Sequence, residues 1–164
     1  LTQEYYAKAF ANCYDIDTVS LRYFNVFGPH QDPQSQYAAV IPKFITAMLK
    51  GVAPAIYGDG LQSRDFTYID NVVQGNLLAL KAPEASGETM NLATGGRISL
   101  LALVDALNRL MGTTIEPILA DERSGDIKHS RAGIDKARDL LDFSPIVDFE
   151  EGLARTIAYY RNNV

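Results

Sequence analysis

Gly58-Asp59-Gly60-Leu61-Gln62-Ser63-Arg64-Asp65-Phe66-Thr67-Tyr68-Ile69-Asp70 is the most telling stretch of this 164-residue chain. Gly58 and Gly60 bracket a turn sharper than most side chains permit. Arg64 then opens a short apolar strand, and a helical pattern starts at Asp70. An arginine on a stiff strand presents a planar fork of donors, the usual means of gripping a phosphate or a carboxylate. A surface pair of Arg64 with Asp65 beside an ordinary hairpin accounts for the same residues, and this segment alone leaves the two readings level.

A second stretch, Val19-Ser20-Leu21-Arg22-Tyr23-Phe24-Asn25-Val26-Phe27-Gly28-Pro29, reads as a buried strand ending in a turn. Strand ends are where ligands sit in open α/β sheets. The amide of Asn25 offers both a donor and an acceptor there, or else bonds the backbone of the turn. A third stretch, Arg123-Ser124-Gly125-Asp126, combines a cation, an acceptor-only carboxylate and a glycine that lets the backbone come close. Those residue types suit a phosphorylated sugar and equally suit a solvated charged loop.

Periodicity supplies the organisation. Residues 2–14 are helical in pattern, with Tyr6, Phe10 and Cys13 in register. A strand covers 19–24, a polar loop 28–36 and a helix 37–50 closed by Gly51. Short strands at 55–57 and 66–69 flank the glycine turn. Asp70 is expected to cap a helix to about residue 81, with Val73, Leu77 and Leu80 as its core stripe. A strand at 88–92 and a Thr94-Gly95-Gly96 turn precede a helix capped by Ser99, whose Leu100, Leu103, Val104, Leu107, Leu110 and Met111 form a core face. A strand at 115–119, a loop at 121–129 and a short helix at 135–141 follow. The last helix has Asp148 and Glu151 spaced as a capping box and a stripe of Phe149, Leu153, Ile157 and Tyr160. No repeat, low-complexity tract or linker interrupts this order.

The hydrophobic fraction of 47% and charged fraction of 21% are those of a packed globular chain. A net charge of −5 argues against a nucleic-acid partner, which needs a basic face. No apolar run is long enough to span a membrane. The first residues lack the pattern of a signal peptide, and one cysteine, Cys13, offers no disulfide framework, so the cytoplasm is the expected compartment. His30, His129 and Cys13 show no metal-ligand spacing, so no metal site is expected.

Arg22-Tyr23-Phe24-Asn25-Val26-Phe27-Gly28-Pro29, Ile41-Pro42-Lys43-Phe44 and residues 58–66, in this order, resemble the extended short-chain dehydrogenase/reductase family. Its nucleotide-sugar epimerases and dehydratases carry R-x-F-N-V-[YF]-G-P, I-P-K-F and G-D-G-x-Q-x-R-D-F. The family's opening Gly-x-x-Gly-x-x-Gly turn, which receives the pyrophosphate of NAD, has no counterpart here. Its catalytic Tyr-x-x-x-Lys is also missing, because Tyr5 and Lys8 stand three positions apart rather than four. The resemblance therefore implies an α/β chain equivalent to the C-terminal half of such an enzyme. Residues 1–36 would end a Rossmann-type domain, and 37–164 would form mainly the substrate-binding lobe, with some elements returning to the Rossmann sheet. No catalytic residue would lie within the chain, and the isolated half would not turn over.

Position by position, the resemblance implies that Asn25 bonds the diphosphate region. Ala39 and Val40 would lay their backbone against uracil, and Phe44 and Tyr57 would line the nucleobase slot, although a buried aromatic is more often plain core. Arg64 and Arg123 would meet the diphosphate, and Asp126 would accept from a ribose hydroxyl. Ser130 would face the C2 substituent of the sugar, where a small residue leaves room for an acetamido group; it also reads as an ordinary small strand residue. Tyr23 would lie near the nicotinamide of the cofactor. The pattern around Arg123–Ser130 is most like that of UDP-N-acetylhexosamine 4-epimerases. In these a tyrosine takes the O4 proton while hydride leaves C4 for NAD, the keto sugar turns about its diphosphate anchor, and hydride returns. A dimer is implied through the helix that continues into residues 1–14. A dehydratase, a decarboxylase or a UDP-glucuronate epimerase on the same scaffold, or a non-catalytic nucleotide-sugar-binding domain, are the rival readings.

Overall fold

A computed structural model describes residues 1–34, 39–122 and 125–163. The N-terminal pattern forms α1 (Thr2–Tyr14), which ends on Asp15 in the left-handed region. There follow β1 (Val19–Tyr23), β2 (Val26–Phe27), α2 (Val40–Leu49), β3 (Ala55–Tyr57), β4 (Ser63–Arg64), β5 (Thr67–Tyr68) and α3 (Ile69–Ala79). The second half contributes β6 (Glu88–Leu92), β7 (Ile98–Ser99), α4 (Leu100–Met111), β8 (Ile118–Ala120), α5 (Asp135–Leu141) and α6 (Phe149–Arg161).

The strands pair across long sequence distances. β1 runs parallel to β6, with Val19 opposite Glu88 and Tyr23 opposite Leu92. β2 is parallel to β5, β3 to β8, and β4 is antiparallel to β7. β3 and β5, on either side of the glycine turn, therefore do not pair with each other, and the hairpin reading is overturned. Gly58 and Gly60 hold φ values of 89° and 74°. A Cβ on Gly60 would stand 2.7 Å from Leu101, so α4 packs directly on the turn. The chain there leaves one strand pairing and enters another.

The caps read from the sequence are present. The Ser99 hydroxyl accepts from the Ala102 N–H, Gly112 closes α4 at φ 71°, and Asp148 accepts from the Glu151 N–H. Asp70 does not cap α3: it sits in the first turn and pairs with Arg155 at 3.0 Å. The expected strand at 115–119 shortens to β8, because the side chain of Asn108 bonds both the N–H and the C=O of Ile115 at 2.9 Å and takes it out of the ladder.

The main core joins Phe27, Ile41, Phe44, Ile45, Phe66 and Tyr68 to Leu103, Val104 and Leu107 of α4 and Leu153, Ile157 and Tyr160 of α6. Phe27 meets the edge of Phe66 at 6.4 Å between centroids, and Phe66 stacks on Phe149 at 5.9 Å. A second cluster gathers Met90, Leu92, Ala137, Leu141 and Phe143 under β1 and β6. The stripe expected to anchor α3 faces out: Val73, Leu77 and Leu80 are 50%, 53% and 82% exposed. The helix instead seats through Gly75, where a Cβ would stand 2.4 Å from Leu92, and through the fully buried Asn71, which bonds Ile146 and Val147. α1 buries no residue, and Tyr5, Tyr6, Phe10 and Tyr14 are exposed. Among the described residues no helix is long and apolar enough to cross a membrane.

Candidate functional site

After the glycine turn, β4 carries Ser63 and Arg64 and the chain continues through Asp65 to β5. Ser63 and Asp65 turn inward, and Arg64 turns to the other side. Asp65 is fully buried. Its Oδ1 accepts from the Thr94 N–H at 3.1 Å and the Thr94 hydroxyl at 2.6 Å; its Oδ2 accepts from the N–H groups of Gly95 at 3.0 Å and Ala132 at 3.3 Å. A carboxylate can be buried when donors surround it in this way. The surface Arg64–Asp65 pair is thereby excluded, and the two residues serve different parts of the molecule.

Arg64 is held on its own face. Its Nη1 donates to the carbonyls of Ser63 at 2.9 Å and Lys128 at 3.4 Å, and its Nη2 to Asp126 Oδ1 at 2.6 Å. A second ion pair, Lys128 to Asp59 at 3.1 Å, braces the same loop to the glycine turn. The Leu61 N–H and then Lys128 hold the Asp59 carboxyl below the usual carboxylate range.

Arg64 and Asp126 stand in the wall of a cleft of about 520 Å³. Asn25, Ala39, Val40, Phe44 and Tyr57 line the same cleft. Asn25 adopts φ 37°, which asparagine tolerates, and its Nδ2 donates to the Asp65 carbonyl at 3.1 Å. It thus bonds the backbone of the turn and also walls the cleft. Phe44 likewise belongs to both the cleft and the main core. Ser130 is not in this wall; its N–H bonds the Ser63 carbonyl at 3.0 Å, one residue from Arg64. Arg123 lies outside the described residues, as do residues 37 and 38 at the start of the expected 37–50 helix. Tyr23 stands at the carboxyl end of β1, half exposed, its hydroxyl on Asn76 Oδ1 at 3.0 Å. Arg22 of the same strand forms a two-pronged pair with Glu4 of α1 at 2.6 and 2.7 Å.

Two polar cleft residues escaped the sequence reading. Lys43 lines it, and so does Gln62, whose Nε2 donates to the Tyr57 carbonyl at 2.6 Å across the glycine turn. The Oε1 of Gln62 is buried without a hydrogen-bond partner. A polar side chain two positions before Arg64, in a segment otherwise heading into the core, was the available signal.

The family model described as the NAD dependent epimerase/dehydratase family matches residues 1–93, and the chain belongs to that family. It is 38% identical over 160 residues to a putative UDP-glucose 4-epimerase of Methanocaldococcus jannaschii, covering 98% of this chain and 51% of that protein. A solved UDP-N-acetylglucosamine 4-epimerase from Methanobrevibacter ruminantium M1, in complex with UDP-N-acetylmuramic acid, superposes with a TM-score of 0.93 at 43% identity over 99% of this chain and 52% of that one. A UDP-glucuronic acid 4-epimerase from Bacillus cereus, in complex with UDP-glucuronic acid and NAD, matches with a TM-score of 0.87 at 31% identity over 98% of this chain and 50% of that one. The chain spans about half the length of the relatives it matches. Its fold is that of the C-terminal half of these enzymes.

Removing the Asp65 carboxylate leaves the N–H groups of Thr94 and Gly95, part-buried, and of Ala132, buried, unpaired. Asp65→Ala is expected to lower stability by about 3 kcal/mol or more, and Asp65→Asn by less, since one acceptor oxygen remains. Urea denaturation followed by circular dichroism measures both; equal stabilities of wild type and Asp65→Ala contradict the clamp.

Proposed function

We propose that the chain is the UDP-sugar-binding half of an NAD-dependent UDP-N-acetylglucosamine/galactosamine 4-epimerase. The observation that carries this is the convergence on one cleft of Asn25, Ala39, Val40, Tyr57, Arg64 and Asp126, residues scattered over a hundred positions of sequence. The cleft has apolar and aromatic walls for a nucleobase, an arginine on a rigid strand for a diphosphate, and a carboxylate for a sugar hydroxyl. Arg64, fixed by two main-chain carbonyls, is suited to anchor the diphosphate while the sugar beyond it turns over. Arg123 is assigned to the same diphosphate by its place in the motif.

Epimerisation at C4 requires hydride removal and return, which NAD supplies when bound. Tyr23, half exposed at the carboxyl end of a parallel strand, fits the flank of its nicotinamide and is the one residue of this chain assigned there. The dimer contact of the complete protein is assigned to α1, whose Tyr5, Tyr6 and Phe10 are exposed among the described residues.

The N-acetyl specificity rests on Ser130. Its backbone is tied to Ser63, next to Arg64, which supports a position beyond the diphosphate, on the sugar side. Serine leaves volume for an acetamido group that a close-packed tyrosine would fill.

In isothermal titration with UDP, Arg64→Ala is expected to weaken binding by roughly 1.5–3 kcal/mol, with Arg64→Lys restoring only part because the fork is lost. An alanine variant that binds UDP as wild type does would return Arg64 to a structural role. In the complete protein, Ser130→Tyr is expected to lower kcat/KM for UDP-N-acetylglucosamine relative to UDP-glucose by more than about tenfold. Competition kinetics reads that ratio, and an unchanged ratio removes Ser130 from the C2 pocket.

A further inference from the structure

Residues 126–132 carry Asp126 and Ser130 past Arg64 with little regular structure to hold them. Their contact with β4 is an isolated parallel bridge, Ser63 opposite His129. The Ser63 N–H donates to the Lys128 carbonyl at 2.8 Å, and the Ser130 N–H donates to the Ser63 carbonyl at 3.0 Å. Any residue supplies such main-chain groups, so these bonds specify the register of a short exposed segment only weakly. The bond from the Ala132 N–H to Asp65 also uses a main-chain donor. Side chains must set the register. Lys128 and Asp59 form a pair 60% and 50% exposed, which contributes little. Arg131 reaches the Gly95 carbonyl through a long, exposed side chain. Asp126 and Arg64 are both given to the ligand when the cleft is read as a nucleotide site. His129 remains, with its Nδ1 2.9 Å from the hydroxyl of Ser63.

We infer that His129 is a positioning residue: through the buried hydroxyl of Ser63 it sets the register of residues 126–132, and with it the places of Asp126 and Ser130 beside Arg64. The inference rests on the reading of the cleft as a nucleotide-sugar site. Ser63 is 3% exposed, and His129 is the one partner of its hydroxyl among the described residues. Loss of the imidazole leaves that hydroxyl unpaired, so the bridged register loses an interaction that other registers lack. A slip of one residue turns every side chain of the segment to its other face and takes Asp126 out of the cleft wall.

The test is titration calorimetry of UDP into the 164-residue chain, comparing wild type, His129→Ala, His129→Asn, Ser63→Ala and the His129→Ala, Ser63→Ala double variant. Each alanine variant is expected to bind UDP about fivefold more weakly, the order of one lost neutral hydrogen bond. The double variant is expected to bind no more weakly than either single one, because both remove the same bond. His129→Asn carries a polar atom at the place of Nδ1 and is expected to bind UDP nearly as wild type does. Calorimetric stoichiometry counts the folded molecules, so general destabilisation lowers the stoichiometry rather than the affinity. Hydrogen exchange followed by NMR is expected to show faster exchange at Ser130 in His129→Ala, with Val104 and Leu107 of α4 still protected. UDP binding unchanged in His129→Ala overturns the inference and leaves the nucleotide site standing. A loss that persists undiminished in the Ser63→Ala background also overturns it, since His129 then acts on the ligand directly. Absence of UDP binding by wild type overturns the nucleotide reading and this inference with it.

Discussion

Four donors converge on the buried carboxylate of Asp65, and the rest of the site follows from that arrangement. The bonds tie the segment after the glycine turn to the Thr94-Gly95 turn beyond β6 and to the backbone at Ala132. These three pieces come from distant parts of the chain. Burying a carboxylate is tolerated only when its lone pairs are satisfied, so Asp65 has one orientation. Arg64, the preceding residue at the end of β4, faces the cleft instead. Arg64, Asp65 and Phe66 thus serve in turn the cleft wall, a structural clamp and the aromatic core.

Rigidity is graded across the site. Arg64 and Gln62 are bonded to main-chain carbonyls, and Asn25 bonds the carbonyl of Asp65 itself. Asp126 is bonded to nothing more permanent than Arg64, and its loop is braced by the exposed Lys128–Asp59 pair, an interaction of small energy in water. A stiff grip with a yielding counter-charge is suited to a ligand that must enter, be held by its diphosphate and leave.

Much of this was legible in the sequence where a local rule acts on its own. α4 and α6 were readable from capping side chains and continuous apolar stripes, and the left-handed glycines from their place in the turn. The motif positions Asn25, Ala39, Val40, Phe44, Tyr57, Arg64 and Asp126 meet at one cleft. The failures have a common cause, which is tertiary partners that periodicity does not encode. α3 carries apolar side chains on more than one side, and the approach of Leu92 to Gly75 together with the buried bonds of Asn71 selects the buried one. The strands beside the glycine turn look like a hairpin until β8 and β2 claim them. The partner of Arg64 is 62 positions away rather than adjacent. Gln62 and Lys43 joined the cleft from inside the quoted motifs, Gln62 marked by its polarity two positions before Arg64.

The claim that this cleft is the nucleotide site is tested most directly by titrating UDP into the 15N-labelled chain and following its backbone amides by NMR. Saturable shifts are predicted at Asn25, Val40, Tyr57, Arg64 and Asp126, while the Asp65-bonded amides of Thr94 and Gly95 stay in place. No saturable shift, or shifts confined to the exposed faces of α1 and α3, would contradict it.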